Sequence, residues 1–213
     1  MKRGYTLSII LLGFVVFFIG CGQKIYKTQS NFEKTIIHTQ KTVAVLPFRV
    51  SSYEDQLGDE NTMYQNKTMG YIAQTRVSVA LLDQFAKKRY NIEFQDINKT
   101  NARLRDSHIS YEELLTRDKS EICRLLGVDA VISGTVRSTI TLADGVASAL
   151  PGVDLRYGFP NRSEVSFTIH DQEDGQLLWQ YDYKTATVVG NNIQALMAVT
   201  MRNVTARFPY KKK

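Results

Sequence analysis

Two cysteines, three histidines and one tryptophan are all that 213 residues hold of the side chains that most often form disulfides, ligate metals or stack on ligands. Two cysteines cannot build a disulfide framework of the kind that staples small secreted domains. His38, His108 and His170 lie far apart in the sequence. A metal centre needs three or four converging ligands, so no metal is expected. Also missing are HExxH, G-x-S-x-G, a phosphate-binding glycine loop and CxxC, each of which carries a recognisable chemistry. No catalytic residue is nominated and no cofactor is expected. The net charge is a mild +6, and the basic residues are scattered apart from Lys211-Lys212-Lys213 at the extreme end. Nucleic-acid binders show a concentrated basic footprint, so no nucleic-acid partner is expected.

One long uncharged run is present, at the very start. Lys2 and Arg3 precede Tyr5–Gly20, 16 residues without a charge. A basic start and a short apolar stretch are the pattern of a secretory signal, and a spanning helix wants about 20 residues. The run ends in Phe18-Ile19-Gly20-Cys21, which resembles a lipobox, where a small residue precedes the cysteine that receives diacylglycerol. The expectation is a signal peptide over residues 1–20, cleavage before Cys21, and attachment to a membrane through lipid on Cys21. Stable anchoring takes more than one acyl chain. Gly22 stands where an aspartate would favour inner-membrane retention, which points to the outer membrane, facing the periplasm. Cys123 is left without a disulfide partner and reads as a packed core thiol.

Residues 22–40 are polar with few clustered apolar groups and are expected to form a tether. The domain is expected over residues 41–210. Thr42–Phe48 is a β-branched run suited to a buried strand, with Pro47 at its end. Met63–Lys88 follows a helical period through Met69, Ile72, Ala73, Val77, Ala80, Leu81 and Phe85. Ile92 and Phe94 mark a second strand. Asp96 is a candidate N-cap for a helix to Leu104, and Ser110 with Glu113 resembles a capping box opening a helix to Leu126, stopped by Gly127. Val131–Leu142 reads as the longest strand. Alternation in Glu164–Ile169 and Leu177–Tyr183, joined by Asp174-Gly175, predicts a hairpin, and Trp179 with its tyrosines is expected to pack on one side of a sheet. A helix over about 192–207 ends before Pro209. The order is β-α-β-α-α-β-β-β-α: a single α/β (α+β) domain, with a mixed sheet of about five strands and helices packed on it.

Three segments share a pattern with known proteins: Val43-Ala-Val-Leu-Pro-Phe48, Leu126-Gly-Val-Asp-Ala-Val-Ile-Ser-Gly-Thr-Val136, and Asp174-Gly-Gln-Leu-Leu-Trp179. Together they resemble the bacterial envelope lipoproteins around CsgG, the curli secretion channel, and LpoB, the activator of a penicillin-binding protein; the N-terminal domain of TolB is similar in plan. The resemblance implies a periplasmic module that binds other envelope proteins. It carries over no catalytic residue, because the shared positions are scaffold residues, and fold does not choose among the family's functions.

The leading expectation is therefore a non-catalytic protein-binding or assembly module. Its partners would be the membrane, through Cys21, and another envelope protein, and a homo-oligomer is compatible with it. A subunit of a CsgG-like secretion channel and an enzyme of unrecognised type stay open. Residues 143–163 form a long connection rich in Gly, Ala and Pro that also carries apolar and aromatic groups, and such loops are often functional. Arg156, Tyr157 and Phe159 are the side chains expected to touch a partner, since Arg and aromatic residues dominate binding energy.

Overall fold

The computed structural model describes residues 24–27, 32, 37–51, 60–140, 161–185 and 193–212. Its frame is a mixed sheet with helices on both faces. In chain order the elements are β1 (Lys24–Lys27), α1 (Ile37–Thr39), β2 (Thr42–Val45), β3 (Arg49–Ser51), α2 (Glu60–Ala86), β4 (Glu93–Phe94), α3 (Ile97–Asp106), α4 (Tyr111–Thr116), α5 (Lys119–Leu126), β5 (Ala130–Ile140), β6 (Asn161–Asp171), β7 (Leu177–Thr185) and α6 (Ile193–Arg207). The sheet runs β1-β7-β6-β5-β2-β4, with β3 also on β5. β2 pairs in parallel with β4 and β5, as helix-containing crossovers require. β5, β6 and β7 form an antiparallel meander.

The expected mixed α/β architecture and the order of its main elements are present. The short strands β1 and β3 add to it. β1 pairs antiparallel with β7, and Phe32 and Gln40 are buried, so part of the segment expected to be a tether is built into the domain. Two lysines in four residues suit a sheet edge, where charge discourages further pairing. The helix expected from Ser110 to Leu126 is two helices. Asp118 breaks it by capping α5, accepting from the backbone N–H of Ser120 (2.8 Å) and Glu121 (3.1 Å).

Other local expectations hold in detail. Asp96 caps α3, and Ser110 with Glu113 forms a capping box at α4. Gly127 ends α5 at φ +60°, and Gly175 turns the β6–β7 hairpin at φ +71°; both are conformations that cost other residues a steric penalty.

Two cores follow from the two sheet faces. The larger one packs α2 and α6 over Val43, Val45, Ile132, Val165, Phe167, Trp179 and Tyr181. The smaller lies under α3, α4 and α5, with Ala44, Leu46, Leu104, Ile122, Cys123, Leu126 and Val131. Alternation along β2 sends Val43 and Val45 to one core and Ala44 and Leu46 to the other. The Trp179 and Tyr181 rings stack at 5.9 Å within the larger core, so the aromatic run on β7 is packing, as its alternation predicts.

A candidate docking face on helix α2

α2 is 27 residues long and carries apolar side chains all round its circumference. One face is fixed to the domain at two points. At Gly70 a Cβ would lie 2.4 Å from the carbonyl oxygen of Phe48, so only glycine lets the helix come this close. One turn on, the buried Gln74 donates from Nε2 to the carbonyl oxygen of Val45 (2.7 Å) and exchanges hydrogen bonds with the side-chain amide of Asn101 (3.0 and 3.1 Å). A satisfied buried amide costs little, whereas one left unpaired would be expensive. Thr62, Gly70, Ala73, Gln74, Val77, Ser78 and Leu81 form the inward face.

With that face fixed, Tyr64, Val79 and Leu82 fall on the opposite side, while Met63 and Phe85 stand near the two ends of the helix at the azimuth of Gly70 and Leu81. Met63, Tyr64, Val79, Leu82 and Phe85 are the large apolar side chains left exposed among the described residues, and all five are on α2. Tyr64 is 71 % exposed and Val79 58 %. Phe85, expected in the core from the helical period, is 38 % exposed, while Met69, Ile72 and Ala80 are half-buried at the margin. A shallow groove follows this face. One part, about 510 Å³, is lined by Tyr64, Gln65, Thr68, Met69, Ile72 and the start of α6. The next, about 440 Å³, runs past Tyr71, Thr75, Arg76 and Val79, with Thr68, Ile72 and Gln194 common to both. Arg76 donates to Gln194 at the groove wall. Scattered exposed apolar residues are ordinary, but a contiguous stripe marks an interaction surface.

A smaller crevice of about 140 Å³ lies beyond the end of β2, between α4, α5 and the polar half of the sheet, with Arg49, Lys119, Ser133, Thr135, Ser166 and Thr168 in its lining. The Lys119 ammonium donates to the carbonyls of Leu114 (2.9 Å) and Arg117 (3.2 Å), closing the end of α4, and burial lowers its pKa. Ser133 and Thr168 pair with each other at 2.8 Å. These groups are largely taken up by the fold.

Cys21, Arg156, Tyr157 and Phe159 lie outside the described residues, as do the signal segment and residues 141–160. Cys123 is buried, and burial first, then the nearby Asp171, Asp118 and Asp129 charges, push its thiol up to about 12. It is a packed thiol, as expected. His38 and His108 are surface residues, but His170 is half-buried. Its Nδ1 lies 3.1 Å from the carbonyl oxygen of Gly175, and burial lowers its pKa. The hairpin turn at Gly175 thus lies against the ring and shields it. No group of three or more potential metal ligands occurs among the described residues.

No family model matches this chain. No curated protein matches it either. Solved structures with a similar fold include the lipoprotein GNA1162 from Neisseria meningitidis, at 13 % identity over 78 % of this chain and 94 % of that one, with a TM-score of 0.45. A PelC dodecamer from Paraburkholderia phytofirmans is 12 % identical over 90 % and 98 %, TM-score 0.42. The LpoB C-terminal domain from Salmonella enterica is 8 % identical over 68 % and 82 %, TM-score 0.36. Bacterial lipoproteins are thus among the structural neighbours, at a distance from which no function is transferred.

Proposed function

We propose that this chain is a non-catalytic docking module of the bacterial cell envelope, anchored by lipid on Cys21 in the outer membrane and facing the periplasm. The observation that carries the protein-binding reading is the outer face of α2. Every large apolar side chain left exposed among the described residues lies on that one helix, and the groove beside it is lined from Tyr64 to Val79, about 22 Å of helix, a span that a helix or an extended segment can occupy. The short apolar run ending at Gly20-Cys21 supports the anchor. The connection bearing Arg156, Tyr157 and Phe159 is proposed as a second contact.

A photo-crosslinking phenylalanine analogue at Leu82, introduced into the full chain in growing cells, tests the docking reading. Glu112, exposed on α4, is the control position. A discrete protein adduct from position 82 that is absent from 112, and lost when Val79→Arg is added, is the expected result. Equal labelling from both positions, or none from 82, would overturn it. For the anchor, Cys21→Ala should abolish incorporation of radiolabelled palmitate; equal labelling of mutant and wild type would refute lipidation there.

A further inference from the structure

We infer that the partner of this face is a second copy of the same chain, with the two α2 helices packed antiparallel across a two-fold axis. The inference rests on the docking reading above and adds the identity and orientation of the partner.

The outward side chains of α2 recur with an 11-residue period. Tyr64, Thr75 and Ala86 form one set, Thr68 and Val79 a second, Tyr71 and Leu82 a third; all are exposed except Tyr71, which is half-buried with its ring 6.1 Å from that of Tyr111 and offers its outer edge. Eleven residues make three turns at 3.67 per turn, close to the straight-helix value of about 3.6, so these positions stay in one line along the helix. The line is about 33 Å long at 1.5 Å per residue. It contains no Lys, Arg, Asp or Glu; the charged Lys67, Arg76 and Asp83 stand to its sides. It alternates large and small groups, with Thr68 and Thr75 between Tyr64, Tyr71 and Val79. An uncharged seam of this length with charged flanks is what a second helix packs against.

Charge along α2 chooses the orientation. Its N-terminal end carries Glu60, while its C-terminal end runs directly into Lys87, Lys88 and Arg89, all exposed; Lys87 pairs with Asp83 at 2.6 Å, which leaves a net basic excess there. Two copies side by side in parallel would place the basic end of one against the basic end of the other. Turned antiparallel about a centre near Ala73, Glu60 of each copy faces the basic end of its mate. Tyr64 then meets Leu82 of the second copy, Thr68 meets Val79, and Tyr71 meets Thr75. Arg76 comes to the ring of Tyr71 across the axis, where a cation is attracted to the aromatic face. The helix dipoles also oppose each other favourably. The surface is self-complementary in the way a two-fold interface requires: whatever one copy presents, the other accepts.

The test uses the full chain, purified in a mild detergent. Sedimentation equilibrium should show a monomer–dimer transition that weakens with salt, because its end contacts are exposed charges. Val79→Arg or Thr75→Arg, both at exposed positions, should weaken it on the order of a hundredfold, since either leaves a charge inside the seam. Circular dichroism confirms that each variant is folded. Orientation is read by cysteine pairs in a Cys21→Ser background. Tyr64→Cys and Leu82→Cys chains, mixed and treated with a short bismaleimide, should cross-link 64 to 82, with neither variant linking to itself. A monomer at about 100 µM, or self-linking of either variant, would overturn the inference. A monomeric chain that still gives a foreign-protein adduct from position 82 in cells would overturn self-association and leave the docking reading standing. Absence of any adduct would remove both.

Discussion

Gly134 sits in the middle of β5, and substituting it by alanine tests the central packing of the domain. A Cβ there would lie 2.2 Å from Cε1 and 2.7 Å from Cδ1 of Phe48, and 2.5 Å from the carbonyl oxygen of Ser166. Phe48 is fully buried and packs edge-on against Phe167 at 5.1 Å, so its ring has no open space to move into. The Ser166 oxygen belongs to the paired strand β6 and moves only if the ladder moves. Overpacking of this kind costs about 1–3 kcal/mol. For a domain of this size about 1 kcal/mol lowers Tm by about 2–4 °C, so Gly134→Ala should lower it by about 2–12 °C in a circular-dichroism melt. A double-mutant cycle separates the two clashes. Phe48→Ala alone should cost about 3–5 kcal/mol. If the ring is the main obstacle, the double variant should be more stable than the sum of the singles by more than about 0.5 kcal/mol. A Gly134→Ala melt within about 1 °C of wild type would refute the close packing of Phe48 on β5.

Other expectations follow from buried groups. Tyr210 donates its hydroxyl proton to Gln40 Oε1, and Gln40 passes a hydrogen bond on to Asp171 (3.0 Å); Tyr210→Phe strands the amide oxygen and should cost about 1–3 kcal/mol in urea unfolding, and an unchanged midpoint would show that the chain is not needed. Cys123, held near 12, keeps its proton in the folded state while the unfolded thiol loses it near its ordinary value. Stability should therefore fall between about pH 9 and 12. Tyr90 and Tyr111, both raised to about 12 by burial, act in the same direction above about pH 10. Cys123→Ala should flatten the first part of that decline. The native thiol should also resist alkylation at pH 8 until denaturant is added, and rapid labelling of folded protein would contradict the burial.

How far the sequence could be read depended on how local each signal was. Capping residues act within four positions, so Asp96, Ser110 with Glu113, and Gly127 were visible without any tertiary knowledge. So was the Asp174-Gly175 turn, because the φ that it requires is a property of the glycine itself. The break at Asp118 carried a comparable local signal, an aspartate ahead of Ser120 and Glu121, but the apolar residues on either side masked it. β1 gave almost nothing to read: Lys24-Ile-Tyr-Lys27 becomes a strand because β7 offers it an unpaired edge, which is a property of distant residues. The face of α2 was half legible. Periodicity identified the helix and the centre of its covered stripe, Ala73, Val77 and Leu81, but not that Phe85 at the end of that stripe would stay exposed or that the opposite side would carry apolar groups with nothing over them. The contacts of Gly70 and Gln74 decide that. The residues expected to bind a partner from the connection before β6 lie outside the described region, so α2, of which the pattern had marked only the packed stripe, became the candidate face.

With lipid on Cys21, as proposed, β1 would also limit how far the domain can stand from a membrane. Cys21 precedes Lys24 by three residues, and a chain spans at most about 3.6 Å per residue, so lipid on Cys21 would leave about 11 Å of slack. The leash is then little more than the width of one helix, and the β1–β7 border of the sheet would rest against the headgroups. The domain would have little room to tumble, and its height above the bilayer would be nearly constant. A rigid perch presents the rest of its surface at a fixed level, so that anchored copies meet by sliding in two dimensions. A Gly/Ser insert of twenty residues after Cys21 would turn that perch into a float.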